Sequence, residues 1–341
     1  MRALRLIKEE HLELGEADDP PPPKASEVQV RVRAIALNHI DLFGLRGMAF
    51  AKRTLPLVVG VECSATVEKL GGAVSGFREG ENVVVYPGVF CGTCKPCKAG
   101  RENLCENVGG IMGFHVDGMA RDRLVVPASR LVRVPSLVSP TDAACTTVTF
   151  ATVQHMLFDN AKLVRGETIL VHAGGSGIGT AAIRMAKLVG ARVITTVGSA
   201  DKMAKAKALG ADHVINYRED RFEGAVRKIT GKRGVDVVFE HVGPDTWAGS
   251  LLSLKRGGRL VTCGSTSGIS AETNLYTIFQ QQLRIIGSFG STVQNCKDSL
   301  QKMAAGMKPV IDQVIKLEDF PTAIERLRNR DVFGKIVARL D

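Results

Sequence analysis

Four cysteines fall within fifteen positions of the stretch VFCGTCKPCKAGRENLCEN: Cys91, Cys94, Cys97 and Cys105. Thiolates are good zinc ligands, and C-x2-C-x2-C-x7-C spacing can close a tetrahedral site with no position left for water or substrate. A site closed in this way shapes a loop and performs no chemistry. The stretch is rich in Lys, Gly and polar residues, so it could hardly order itself by burying apolar surface. Free structural cysteines are the plain alternative. A second chemistry-bearing stretch is ILVHAGGSGIGTAAIRMAK, a glycine-rich turn between a strand-like and a helical run. Small residues there let the backbone approach a pyrophosphate, and the helix start supplies unpaired N–H groups and a favourable dipole. The strict G-x-G-x-x-G pattern is not met. Gly174 and Gly179 fit it, but Ser176 takes the middle place between Gly175 and Gly177, with Ile178 following.

The end of the second strand of such a unit selects the nicotinamide. An acidic residue there binds the ribose hydroxyls of NAD and repels a 2′-phosphate. Here the strand ends TTVGSADK, which puts Gly198 and Ser199 where an acid would stand and Lys202 close by. Ser199 and Lys202 can hold a 2′-phosphate, so NADPH is expected. Asp201 could also lie near the ribose, and Ser199 could simply cap the next helix with Lys202 solvated. Tyr217 joins the expected dinucleotide contacts, as do Gly264 and Ser265 of CGSTSG and Ser288 and Phe289 of GSFGS.

The elements that must position these groups follow from the apolar pattern. At 341 residues the chain is expected to form two domains. The first third carries short β-rich runs, EVQVRVRAIAL, SATVEKLG and ENVVVYP, broken by Gly and Pro, as in a small antiparallel barrel. From about residue 151, TILVHA, RVITTV, HVINY, VDVVFEH, RLVTCG and RIIGSFG alternate with helical stretches. That alternation specifies an α/β, doubly wound parallel sheet of the Rossmann kind. The final GKIVARL reads as a strand able to return to the first domain.

Composition narrows the class. No run of eighteen apolar residues is present, so no membrane helix is expected. The first residues lack the apolar core and cleavage site of a secretory leader. The other cysteines are scattered (Cys63, Cys145, Cys263 and Cys296), which fits reduced thiols and a cytoplasmic location. A net charge of +10 comes with no basic block or recognition motif, so nucleic acid is not the expected partner. It could instead attract a small polyanion such as a phosphorylated dinucleotide or coenzyme A.

The cysteine spacing, the glycine turn and the terminal GKIV resemble the medium-chain dehydrogenase/reductase superfamily of the zinc alcohol dehydrogenase type, over essentially the whole length. The resemblance implies a GroES-like β-barrel catalytic domain over 1–150 and 293–341, with a structural zinc lobe at 89–107, and a Rossmann NADP(H)-binding domain over 151–292. It also implies a homodimer or homotetramer. In that family a second, catalytic zinc is held by residues that align here with Asn38, Val61 and Thr149, and the proton-relay histidine aligns with Phe43. Valine cannot coordinate zinc, and Asn and Thr are poor ligands. Oxidising an alcohol by hydride transfer needs a Lewis acid, whereas an activated C=C can be reduced by hydride addition to the β-carbon with donors stabilising the enolate.

AACTTVTFATVQHMLF, GVDVVFEHVG and LKRGGRLVTCGSTSG resemble the crotonyl-CoA carboxylase/reductase and acryloyl-CoA reductase branch. In the carboxylating members the pocket uses an Asn, a Phe-Glu pair and a His. Asn38 lies in the Asn-bearing segment, Phe114 matches the Phe, His241 matches the His, and His115 stands in place of the Glu. Asn38, His115 and His241 are therefore the expected catalytic residues, with Phe43, Phe114 and Thr149 in the substrate pocket. The expected reaction is NADPH-dependent reduction of an enoyl-CoA or another α,β-unsaturated carbonyl. The alternatives are quinone reduction, carboxylating reduction, zinc-dependent alcohol oxidation, and a non-catalytic crystallin-like protein that binds NADPH and RNA.

Overall fold

The computed structural model describes residues 1–47 and 53–340. Two compact units emerge, one from Met1–Ala151 with Ser291–Asp341 and the other from Thr152–Gly290.

The first unit is built on a largely antiparallel sheet whose strands are mostly buried. Glu27–Ala36 is its central strand, flanked by Cys63–Leu70 and Lys335–Arg339, with Arg123–Pro127 also pairing to it. The terminal strand thus lies antiparallel to Glu27–Ala36, pairing Ala338 with Ile35, and so returns to the first domain. Beside it runs Ile311–Lys316 in parallel. A smaller sheet joins His11–Glu16, Arg2–Lys8 and Leu57–Val58. Leu4, Val30, Ile35, Leu124, Phe320 and Ile336 are among the residues closing the core. Burying a side chain of this size contributes roughly 1.5–3 kcal/mol.

The second unit contains β1 (Thr168–Val171), α1 (Gly177–Leu188), β2 (Arg192–Val197), α2 (Ala200–Ala208), β3 (His213–Asn216), α3 (Phe222–Ile229), β4 (Val235–Glu240), α4 (Pro244–Ser253), β5 (Leu254–Thr262), α5 (Leu275–Gln281) and β6 (Arg284–Gly287). The strands are parallel and ordered β3-β2-β1-β4-β5-β6. Every residue of β1 and β4 is buried, as expected of strands covered on both faces. Strand order reverses between β1 and β4. The carboxyl end of that pair is the place where such sheets bind ligands. Among the described residues no helix is long and apolar enough to cross a membrane.

Candidate active site and cysteine lobe

The glycine turn leaves β1 at His172 and enters α1 at Gly177. Ser176 caps α1, its Oγ accepting the Gly179 amide at 3.0 Å. The turn tolerates little bulk. A Cβ at Gly174 would stand 2.2 Å from Thr195 Oγ1, and one at Gly179 would stand 2.2 Å from the Ala173 carbonyl. The glycines at 174 and 179 are therefore demanded by close packing within the turn, while Gly177 and Ile178 are half-buried in the first turn of the helix. At the end of β2, Ser199 is the N-cap of α2 and accepts the Lys202 amide at 3.3 Å. Tyr217, 43% exposed, lies over Gly198, where a Cβ would meet its hydroxyl at 2.5 Å. Gly264 approaches the His241 carbonyl, and a Cβ there would stand 3.0 Å from it. Ser265 and Phe289 are exposed, while Ser288 is buried and accepts the Asn160 amide at 3.0 Å.

In the first unit the positions aligned with zinc ligands surround a buried ion pair. Glu62 is wholly buried. Its Oε1 accepts the amides of Val148 and Thr149 at 2.6 and 2.9 Å. Its Oε2 accepts Asn38 Nδ2 at 3.0 Å, Thr149 Oγ1 at 3.1 Å and Lys335 Nζ at 3.3 Å. Lys335 Nζ also donates to the Leu37 carbonyl and to Asn38 Oδ1, each at 2.6 Å. The two amide protons of Asn38 go to the Ala36 carbonyl and Glu62, and its oxygen accepts from Lys335 and Thr149. Placed so, Asn38 has no N–H left to donate to a substrate carbonyl. Its side chain instead ties its own loop to Glu62, Thr149 and Lys335.

Sequence reasoning missed Lys335 and gave Glu62 no role. The only available signals were two charged residues inside apolar runs, GVEC and FGKIV. Asp41 was missed too. Its Oδ2 accepts the Asn38 amide at 2.8 Å, while its buried Oδ1 has no partner. Burial pushes the Asp41 carboxyl up to about 7, and the nearby Glu62 charge acts in the same direction. The amides of Asn38 and Val61 and the Lys335 charge pull the other way.

The remaining expected site residues are dispersed. His115 is half-buried, and its Nδ1 accepts the Ile111 amide at 3.1 Å, which leaves the proton of a neutral ring on Nε2. Burial lowers its pKa. Phe114 is buried against Gly44 and lies edge-on to His115, with centroids 4.7 Å apart. Phe43 sits edge-on to His39 at 5.8 Å and carries the Arg46 guanidinium over its face at 4.9 Å. His241, in the second unit, donates from Nε2 to the His172 carbonyl at 3.0 Å.

Cys91, Cys94, Cys97 and Cys105 converge, with all four sulfurs within 4.8 Å of one another. A tetrahedron with Zn–S bonds of about 2.3 Å has edges of about 3.8 Å, so four thiolates gathered at this spacing suit zinc. The loop is closed at its base by pairing of Gly88–Val89 with Gly110–Ile111. The Thr93 and Cys94 amides donate to Cys91 Sγ at 3.4 Å and orient it. Among the described residues this is the only cluster of three or more His, Cys, Asp or Glu side chains able to hold a metal.

The chain is similar to known proteins. Residues 24–136 match the alcohol dehydrogenase GroES-like domain family and 177–305 the zinc-binding dehydrogenase family. An acryloyl-coenzyme A reductase of Sulfurisphaera tokodaii is 30% identical over 96% of this chain and 96% of its own length. The chain belongs to the medium-chain dehydrogenase/reductase superfamily, zinc alcohol dehydrogenase type. A quinone oxidoreductase of Salmonella typhimurium is 32% identical over 77% of this chain and 72% of its own. A crystal structure of an NAD-dependent alcohol dehydrogenase superposes with TM-score 0.94 at 38% identity, covering 100% of both chains. The protein is therefore an oxidoreductase of this superfamily, with a four-cysteine metal site and a nicotinamide-cofactor fold.

Cys97→Ser should release the lobe's zinc, measured by metal analysis, and lower the melting temperature. An unchanged zinc content would sink the assignment. Asp41 should shape the pH dependence of stability, because the folded chain retains a proton that an unfolded Asp loses near pH 4. Its contribution is complete below about pH 4 and is lost as pH rises through about 7. Asp41→Asn should therefore gain on wild type between pH 5 and pH 8, by on the order of 1–3 kcal/mol. Urea unfolding at both pH values checks this, and parallel curves would refute it.

Proposed function

We propose that the protein is an NADPH-dependent reductase of activated C=C bonds, acting on an enoyl-CoA or another α,β-unsaturated carbonyl without catalytic zinc. The observation that carries this reading is the Lys335–Glu62–Asn38–Thr149 cluster. At the positions where relatives of the alcohol dehydrogenase kind would need metal ligands, Val61 has no donor atom. The Asn38 amide is fully hydrogen-bonded, and an ammonium group is already in contact with Asn38 and Glu62. A second cation beside Lys335 would meet like-charge repulsion in a buried setting.

Bound NADPH would supply hydride to the β-carbon, leaving charge on the carbonyl oxygen. The chain's part is to hold the substrate, stabilise that charge and let a proton reach the α-carbon. His115, with its proton on Nε2, is the side chain we assign to donate a hydrogen bond to the developing enolate. Phe43, Phe114 and Thr149 are proposed as pocket residues. The α-carbon proton comes from water, giving a saturated product and no carboxylation. The acryloyl-coenzyme A reductase similarity supports the thioester class, and the quinone oxidoreductase similarity supports quinone reduction as the second reading.

NADPH is preferred over NADH because Gly198 and Ser199 follow β2, with Lys202 in the first turn of α2 and no acid at the strand end. The solved NAD-dependent relative makes this preference the part most worth testing. Lys202→Ala should weaken NADPH about tenfold or more, the worth of a hydrogen bond to a charged group, and leave NADH unchanged. Equal losses for both cofactors would overturn the preference.

We also infer a cytoplasmic homo-oligomer. On the second unit α5 exposes Leu275, Tyr276 and Phe279 at 71%, 63% and 67%, and Ile285 of the edge strand β6 is 39% exposed. An apolar patch beside an unpaired edge is a self-association surface.

The deciding experiment is an NADPH-oxidation screen over acryloyl-, crotonyl- and longer enoyl-CoA, simple enones and quinones, with zinc counted in the same preparation. Turnover of the activated alkenes with one zinc per chain is the expected result. Two tightly held zincs, or alcohols as the only substrates, would overturn the reading.

A further inference from the structure

A chain of buried hydrogen bonds in the second unit has a direction that can be assigned donor by donor. Glu240, wholly buried at the end of β4, accepts the Ser250 hydroxyl at 2.7 Å on Oε2. Burial works against its charge, but His172, Ser250 and the amides of Val242 and Gly243 outweigh that and hold its carboxyl below the usual value. A carboxylate only accepts, so the proton of Ser250 is spent on it. Ser250 Oγ must therefore accept from His172 Nε2, 2.8 Å away, which makes His172 the Nε2–H tautomer. Its Nδ1 is then an acceptor and takes the hydroxyl proton of Thr196 at 3.2 Å. Thr196 Oγ1 in turn accepts the amide of Ala173, the first residue of the glycine turn, at 3.2 Å.

His241 is fixed from both sides of this chain. Glu240 Oε1 gathers the amides of His241, Val242 and Gly243 at 2.9, 2.7 and 3.2 Å. The ring is then pinned through Nε2 to the carbonyl of His172. A carbonyl cannot donate, so Nε2 must carry the proton. In a neutral ring, Nδ1 is a bare lone pair, and among the described residues it has no hydrogen-bond partner. Burial lowers the pKa of this imidazole and favours the neutral form. The residue stands where strand order reverses, tethered to the residue that precedes the glycine turn.

We propose that His241 meets the bound dinucleotide as a hydrogen-bond acceptor through Nδ1, recognising a hydroxyl or amide N–H, and that it does not protonate the substrate. Glu240 and the His172 carbonyl act as its positioning groups. The proposal rests on the dinucleotide reading of this unit and not on the identity of the reduced substrate.

The test separates the two ring nitrogens. An asparagine can put its amide oxygen near the place of Nδ1, while a glutamine can put its NH2 near the place of Nε2. His241→Asn should keep NADPH affinity within about twofold, whereas His241→Gln should lose about 3- to 10-fold, the worth of one hydrogen bond, both read by calorimetric titration. Binding of the 3-acetylpyridine analogue, which lacks the carboxamide N–H, identifies the donor. If wild type discriminates against it and His241→Gln does not, the partner is the amide. If both treat it as they treat the parent cofactor, the partner is a hydroxyl. The reverse order of the two variants would overturn the proposal.

A measurement without variants guards against misfolding. Two-bond proton–nitrogen spectra of nitrogen-15 histidine-labelled protein at pH 7 should show His172 and His241 as neutral Nε2–H rings. A charged ring or an Nδ1–H tautomer for His241 also defeats it. Absence of alkene turnover with these binding results intact would reject the reductase reading and leave this one standing.

Discussion

The first unit depends on satisfying one buried charge. Glu62 has no contact with solvent and cannot be left unpaired, since an isolated carboxylate in such surroundings costs several kcal/mol. Its partners come from far apart in the chain: Asn38, the amides of Val148 and Thr149, and Lys335. The return of the C-terminal strand to the sheet is what delivers Lys335. Breaking such a pair from one side costs roughly 3–5 kcal/mol, because the other charge is stranded. The carboxylate thus joins four segments that no contiguous apolar stripe would bring into register.

The second unit solves the same problem with the same device. Glu240 is equally buried and receives three consecutive amides leading into α4, together with Thr246 and Ser250 from that helix. Glu62 likewise receives the amides of Val148 and Thr149 in the first turn of the helical segment that begins at Thr146. In each case the carboxylate occupies a helix start, where unpaired N–H groups and the helix dipole favour negative charge. What distinguishes them is the counter-charge. Glu62 has the Lys335 ammonium, whereas Glu240 faces a histidine whose pKa is held down to about 4 by burial. The first cluster is therefore an ion pair, and the second a one-way sequence of neutral donors ending on an anion.

Much of this architecture is legible in the chain because it is written locally. The alternation of TILV, RVITTV and VDVVFE with helical runs specifies covered parallel strands, and the cysteine spacing alone places four sulfurs together. The parts that are not legible are long-range or polar. Ile311–Lys316 reads as IDQVIK, too polar to announce a sheet strand, and it is held by parallel pairing with Lys335–Arg339. The segment Thr146–Asn160 includes wider π-type turns, such as the Phe150 amide to the Cys145 carbonyl at 3.2 Å, which apolar periodicity does not encode. Asn38 shows the limit most directly. Its type suits substrate binding, but its hydrogen-bonding capacity is consumed by residues as distant in the chain as Lys335, and no local pattern reveals that.

The same contrast bears on how this fold can change its chemistry. A metal-dependent oxidoreductase needs an open coordination position and donors aimed at it. In this chain the aligned positions hold a side chain with no donor, an amide with none to spare and a hydroxyl whose proton is shared between Asn38 and Glu62. Replacing a single ligand would not recreate such a site, because Lys335 would still carry positive charge into the cluster. Removing Lys335 to make room would strand Glu62.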